Sequence, residues 1–207
     1  HYPLRRQRQM CIRDSVRTHG SGAAGMTNML RTFGKKAAAL TAFGDVLKGV
    51  LAVCIGRWLF TLMPESTTLS PYLAVYLAAI FAIIGHLKPL YFGFKGGKGI
   101  AATAGLILAI HPAFIPMGVI LFFGTFLLTH YVSLGSLLVY AGFLIEMVIM
   151  GQMDLFSMPV GHRIEMYVIA AFLTAMAYWK HRENIKRLLS GTERKTYLFK
   201  KNKEALN

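Results

Sequence analysis

Seven consecutive residues, Gly93-Phe94-Lys95-Gly96-Gly97-Lys98-Gly99, gather four glycines and two lysines in a chain that is otherwise mostly apolar. Glycine lets backbone N–H groups turn inward around a small object, and lysine adds positive charge. A helix starting near Gly99 would aim the positive end of its dipole at the same place. A phosphate group is the natural occupant. The alternative is a flexible basic loop that touches anionic lipid.

Several familiar phosphate chemistries do not fit. The spacing from Gly93 to Gly97-Lys98 is one residue short of a Walker A motif, Gly99 stands where that motif needs Ser or Thr, and no strand precedes it. Neither a Gly-x-Gly-x-x-Gly dinucleotide pattern nor a Gly-x-Ser-x-Gly elbow is present. No histidine is followed by the His-x4-Asp pattern of thioester-dependent acyltransferases. The carboxylates are few and scattered, and the cysteines are only Cys11 and Cys54, so neither a metal-dependent phosphotransferase nor a disulfide framework can be built. The expectation is chemistry without metal or cofactor. What remains is a set of donors: Ser21, Thr27, Asn28, Arg31, Lys98, Ser133, His181 and Asn184. Such a set could hold two phosphates side by side and let an already activated acyl donor react. Catalysis would come from positioning and from stabilising charge as it develops.

These donors need a scaffold, and composition says which kind. Of 207 residues 55% are hydrophobic, the mean hydropathy is +0.47, and the net charge is +14. A basic nucleic-acid-binding protein would be far more polar, whereas apolar runs with basic residues between them read as a multi-span membrane protein. Residues 1–15, with four arginines and no apolar periodicity, read as a foreign or disordered segment and not as a signal peptide. Thr27 or Asn28 can cap a short helix that carries Arg31 and ends at Gly34. All-α structure follows, with spans expected over 37–60, 72–85, 99–110, 113–129, 134–150 and 165–179. Asp45 and Lys48, three apart, can pair inside the bundle. His111-Pro112 breaks the chain, and 180–193 form a basic amphipathic helix with a polar end, before a basic tail over 194–207.

Counting spans gives a topology. Two separate the Ser21 segment from the glycine-lysine loop, two more lead to Tyr131-Val132-Ser133, and two more to His181 and Asn184. Even numbers put all four polar segments on one side. The opposite connections are short and poor in lysine and arginine, so the shared face is expected to be cytoplasmic.

Three separated stretches resemble, in order, the motifs of the bacterial acyl-phosphate:glycerol-3-phosphate acyltransferases, the PlsY family. They are Gly20-Ser21-Gly22-Ala23-Ala24-Gly25-Met26-Thr27-Asn28; Gly85-His86 with Tyr91-Phe92-Gly93-Phe94-Lys95-Gly96-Gly97-Lys98-Gly99; and His181-Arg182-Glu183-Asn184-Ile185 with Arg187-Leu188-Leu189 and Gly191-Thr192-Glu193. Tyr131-Val132-Ser133 and Asp45-x-x-Lys48-Gly49 fit as well. The likeness covers residues 16–193, expected to be one acyltransferase membrane domain. It implies acyl transfer from acyl phosphate to the 1-position of glycerol 3-phosphate, giving lysophosphatidic acid and phosphate, the first step of phospholipid synthesis. It also implies a multi-pass protein of the bacterial inner membrane, served by a soluble enzyme that makes acyl phosphate.

By position in these motifs, Ser21, Arg31, Lys98 and Ser133 would hold phosphate. Thr27 and Asn28 would shape the first loop, and His181 and Asn184 would orient the glycerol portion or the donor. Gly22, His86, Lys95, Gly96 and Gly97 join the candidate substrate-binding set, with Lys95 alternatively serving lipid headgroups. Ala23 stands where the family has asparagine, and Met26 where it has alanine. The family's seven spans against six counted here make the chain read as lacking its first helix. Duller roles compete throughout: His86 as a helix cap, Ser133 bonded back to its own helix, Asp45 and Lys48 as a structural pair. Glu146, within an apolar span, has no role in this reading. The competing whole-protein readings are a small transporter or channel for a phosphorylated solute, and an inactive truncated copy. Donors gathered at one membrane face, away from the midplane, favour the enzyme over the transporter.

Overall fold

The computed structural model describes residues 16–64, 71–156 and 158–197; residues 1–15 and 198–207 lie outside them. Seven α-helices run through the described residues: α1 (Met26–Thr61), α2 (Pro71–Leu87), α3 (Ile100–Ile110), α4 (Ile115–Thr129), α5 (Val132–Gln152), α6 (Val160–Lys180) and α7 (Arg182–Leu189). Short 3-10 turns at Leu90–Phe92 and Pro112–Phe114 lead towards α3 and into α4.

α1 is two helices joined across a kink, the short first one and the first long span, and the kink falls where a helix stop was expected. Gly34, at φ 83° and ψ −173°, leaves helical geometry inside α1, in a region other residues rarely enter. Neither Thr27 nor Asn28 caps it. The N-cap position is Gly25, which has no side chain to bond, and Asn28 lies inside the helix, engaged elsewhere.

Of the six segments expected to cross a bilayer, four are long and apolar enough: Met26–Thr61, Pro71–Phe92, Pro112–Thr129 and Val132–Gln152. At 1.5 Å per residue α3 is only about 16 Å long, half a hydrocarbon core. The first turns of α6 carry His162, Arg163 and Glu165. The exterior is apolar, with Leu40, Phe43, Phe81, Ile120 and Leu128 all exposed. Lipid is the solvent such a surface suits.

In lipid, burying apolar side chains gives helices little reason to associate, so close backbone contact has to hold them. The chain supplies it where α1 crosses α3. A Cβ at Gly49 would lie 2.8 Å from the Leu106 nitrogen, and one at Gly105 would strike the Val46 carbonyl. Around that crossing Val53, Val75, Ala79, Ile83, Leu87, Ala102 and Leu106 form one buried cluster. A second joins Tyr76, Ile107, Phe114, Met147 and Met166. Thr103 and Tyr140 share a buried 2.9 Å hydrogen bond between α3 and α5, and Tyr178 Oη donates to the Leu137 carbonyl at 3.1 Å. The α5–α6 connection is closed by Arg163, which pairs with Asp154 at 2.7 Å and donates to the Gly151 and Met158 carbonyls.

Candidate active site

The four polar segments meet. Ser21, Thr27, Asn28, Arg31, His86, Lys98, Ser133, His181 and Asn184 all line one cavity of about 790 Å³. Gly22, Lys95, Gly96 and Gly97 do not line it. Lys95 is exposed, and its carbonyl accepts a 3.2 Å hydrogen bond from Arg17 Nε.

The first wall is built by one buried amide. Asn28 Oδ1 accepts from the Ser21 amide at 3.0 Å, and Nδ2 donates to the carbonyls of Val16, His19 and Ala23 at 3.0–3.1 Å. Asn28 therefore spends its bonding capacity on folding the loop that presents Ser21. Arg31, one helical turn on, donates to the Arg194 carbonyl at 3.1 Å and to Thr196 Oγ1. Thr196 is buried and its amide donates to the His130 carbonyl. The first residues of the expected tail are thus part of the packed body.

The second wall is the glycine-lysine loop. A Cβ at Gly96 would lie 2.8 Å from the Leu87 carbonyl, and one at Gly97 would meet the His86 ring and, at 3.0 Å, the Ala24 carbonyl. Only glycine lets the loop lie so close. Gly99, at φ 92°, then turns the chain into α3. His86 does not cap a helix. Its Nδ1 accepts from Lys48 Nζ, which also pairs with Asp45, both at 2.5 Å. A lysine only donates, so Nε2 of His86 carries the proton on the side facing Gly97. The Asp45–Lys48 pair expected from spacing is present, with a histidine added.

The third wall centres on a residue absent from the candidate set. Glu193 is buried; its Oε1 accepts from Ser133 Oγ at 2.9 Å and Asn184 Nδ2 at 2.7 Å, and its Oε2 from Arg187 Nε at 2.7 Å. Burial alone would raise the Glu193 carboxyl, but the hydrogen bonds from Asn184, Arg187 and Ser133 outweigh it and hold it below the usual carboxylate range. Asn184 completes a chain by accepting from Lys98 Nζ through Oδ1. Ser133 therefore bonds to Glu193; it is Ser136 that donates back to its own helix, at the Val132 carbonyl.

Burial pushes the Lys98 ammonium down to about 8, with Glu193 opposing and Arg187 and Arg31 reinforcing the shift. Burial likewise drives His181 down to about 4, the Ala177 hydrogen bond opposing and Lys98 adding to the fall. His181 is neutral near pH 7. Its Nδ1 donates to the Ala177 carbonyl at 2.8 Å, which leaves Nε2 as an acceptor. No group of three or more His, Cys, Asp or Glu side chains that could hold a metal ion occurs among the described residues.

Below the polar end the cavity continues between α3, α4 and α5 along Ala104, Ile107, Val119, Phe122, Val139 and Phe143. One space therefore offers anion donors at one end and hydrocarbon walls at the other.

A family model described as glycerol-3-phosphate acyltransferase matches residues 8–191. The chain is 44% identical over 180 residues to a glycerol-3-phosphate acyltransferase of Clostridioides difficile (strain 630), covering 87% of this chain and 81% of that one. It is 41% identical over 180 residues to the enzyme of that name in Halalkalibacterium halodurans, with the same coverage. Its fold superposes on crystal structures of PlsY (YgiH), an integral membrane glycerol 3-phosphate acyltransferase. The TM-score is 0.75 for the glycerol 3-phosphate form and 0.70 for the lysophosphatidic acid form, each at 30% identity, covering 90% and 86% of this chain and 84% and 82% of those chains. Motifs, fold and relatives agree, and the chain belongs to the glycerol-3-phosphate acyltransferase family.

Proposed function

We propose that this protein transfers a fatty acyl group from acyl phosphate to the 1-hydroxyl of glycerol 3-phosphate, releasing lysophosphatidic acid and phosphate. The observation that carries this is the single cavity whose basic end opens directly into an apolar groove. Arg31 and Lys98 supply the positive charge that two neighbouring phosphates require, and Ser21 adds a hydroxyl donor. Ser133 can turn its hydroxyl from Glu193 to a bound phosphate. The acyl chain occupies the groove between α3, α4 and α5.

In the reaction the glycerol hydroxyl oxygen bonds to the acyl carbonyl carbon, the carbon–oxygen bond to phosphate breaks, and phosphate leaves. A histidine held near pKa 4 is a weak base at neutral pH. His181 Nε2 therefore orients the hydroxyl by accepting its hydrogen bond, and the proton passes to the departing phosphate. Asn184 holds Lys98 and fixes its charge where the leaving phosphate gathers it. The polar end faces the cytoplasm of a bacterial inner membrane, and a soluble enzyme delivers the donor.

The test incubates membranes containing the protein with glycerol 3-phosphate and, in parallel, palmitoyl phosphate, palmitoyl-CoA or a palmitoyl carrier-protein thioester. Lysophosphatidic acid formed from acyl phosphate alone supports the reading. Product from a thioester instead would overturn the donor assignment, and no product from any donor would overturn the enzyme.

A further inference from the structure

Glu146 lines the same cavity as the donors, on the face of α5 that carries Ser133. The α5 residues that line it are Val132, Ser133, Ser136, Val139, Tyr140, Phe143 and Glu146, whose spacing of one and three residues keeps them on one helical stripe. Its upper end carries Ser133, bonded to Glu193; its lower end is the Glu146 carboxyl. Below Glu146, no α5 residue lines the cavity. The cavity lining also includes the apolar Ile107, Phe114 and Phe143, which pack in one cluster with Met147, the next residue of α5. Among the described residues Glu146 has neither a hydrogen bond nor an ion pair, unlike Glu193 at the other end of the stripe. An ionisable group in an intramembrane wall is costly and needs a functional explanation.

The distance supplies one. Thirteen residues separate Ser133 from Glu146, about 20 Å along the helix. A saturated chain advances about 1.25 Å per carbon, as a zigzag of ~1.5 Å bonds. An acyl group held at the polar end therefore brings its terminal methyl to Glu146 at about 16 carbons. Up to that length each methylene gains an apolar wall, worth roughly fourfold in binding. A longer chain must press hydrocarbon against a carboxyl and strip it of water, forfeiting that gain. We propose that Glu146 closes the acyl groove to chains longer than about 16 carbons and so sets the upper limit of donor length. This assignment rests on the acyl-phosphate reading above.

The experiment compares kcat/KM for lauroyl, palmitoyl and arachidoyl phosphate in the wild type, Glu146→Leu and Glu146→Gln. The readout is the ratio of arachidoyl to lauroyl turnover within each protein, which a loss of folded enzyme leaves unchanged. The expected ratio rises at least tenfold in Glu146→Leu and by a smaller factor in Glu146→Gln, which keeps the size and polarity. The same ratio in all three proteins would overturn the assignment. A wild type inactive with lauroyl phosphate, which is too short to reach Glu146, would overturn the acyl-phosphate reading itself and this assignment with it.

Discussion

Lys98 Nζ donates to Asn184 Oδ1 across 86 positions of sequence, and the other end of that amide donates to Glu193. A single side chain thus links the glycine-lysine loop to the C-terminal helix, and through Glu193 to Ser133 on α5. The buried carboxylate is the hub, because it alone can accept from Ser133, Asn184 and Arg187 together. In the proposed site the charges meant for substrate are therefore held before substrate arrives, which is what electrostatic catalysis requires.

Replacing the hub should show this. Glu193→Gln keeps the shape but loses two-sided acceptance and leaves Arg187 without its partner. Hydrogen bonds to charged groups contribute about 1.5–3 kcal/mol each, so a clear fall in Tm is expected. With Ser133 and Lys98 released, KM for glycerol 3-phosphate should rise roughly tenfold or more. Glu193→Asp should recover part of the Tm and less of the KM. An unchanged KM in a folded Glu193→Gln protein would remove Glu193 from the site.

Lys98 gives a pH signature. In the proposed site it is the protonated ammonium that binds phosphate, and burial brings its pKa to about 8. The kcat/KM for glycerol 3-phosphate, which reports the free enzyme, should therefore fall as pH rises through about 8. Lys98→Arg should move that limb to higher pH, and Lys98→Ala or Arg31→Ala should lose at least ~100-fold in turnover while remaining folded. Stability runs the other way. The folded pKa lies below the unfolded one, so between about 8 and 10.5 the unfolded chain binds more protons and stability rises with pH. Below that window the penalty for burying the charge is fully present. A Lys98→Met protein should lack this slope.

Much of this frame is legible in the sequence. Apolar runs and their breakers give most of the spans to within about two residues, but α6 starts at Val160, five residues before the expected 165, because its first turns carry the polar His162, Arg163 and Glu165. Span parity alone puts the Ser21, Lys98, Ser133 and Asn184 segments on one face, and Gly34 breaks α1 where a glycine stop was expected. What stays hidden depends on where the chain folds back. Glu193 sits in a quoted motif, Gly191-Thr192-Glu193, but its role requires Gly191 to turn at φ 67° and return the carboxyl to a serine 60 residues earlier. Lys95 and Lys98 look alike in sequence; the left-handed turns at Gly93 and Phe94 leave the first exposed and the second on the cavity. Asn28 reads as a helix cap from its type and place, yet four backbone groups of the preceding loop claim its amide.

The α1–α3 crossing predicts opposite effects for one chemical change. Gly105→Ala places a Cβ on the Val46 carbonyl, which is backbone and cannot move aside alone. The helices must separate, at about 1–3 kcal/mol, with a lower Tm in detergent and a weaker groove wall. Gly44, on the same helix as Val46, has nothing within 4 Å of its added Cβ. Gly44→Ala should raise Tm slightly, because alanine costs about 0.5–1 kcal/mol less than glycine in a helix. Equal Tm values for the two variants would contradict the close crossing.

The first wall carries the final test. Ala23 lines the cavity beside Ser21, and its carbonyl is fixed by Asn28 at 3.1 Å. Its backbone is therefore held whatever its side chain, and asparagine, the residue this position has in the resembling family, would add an amide donor at the polar end. One hydrogen bond to a charged phosphate, at about 1.5 kcal/mol, corresponds to roughly tenfold in binding. Ala23→Asn is expected to lower KM for glycerol 3-phosphate by about that factor with little change in kcat, since the bond forms to substrate and transition state alike. An increase in KM would mean that the amide competes with Asn28 for the loop carbonyls instead of reaching phosphate, and a fall in Tm of the same variant would reveal that competition directly.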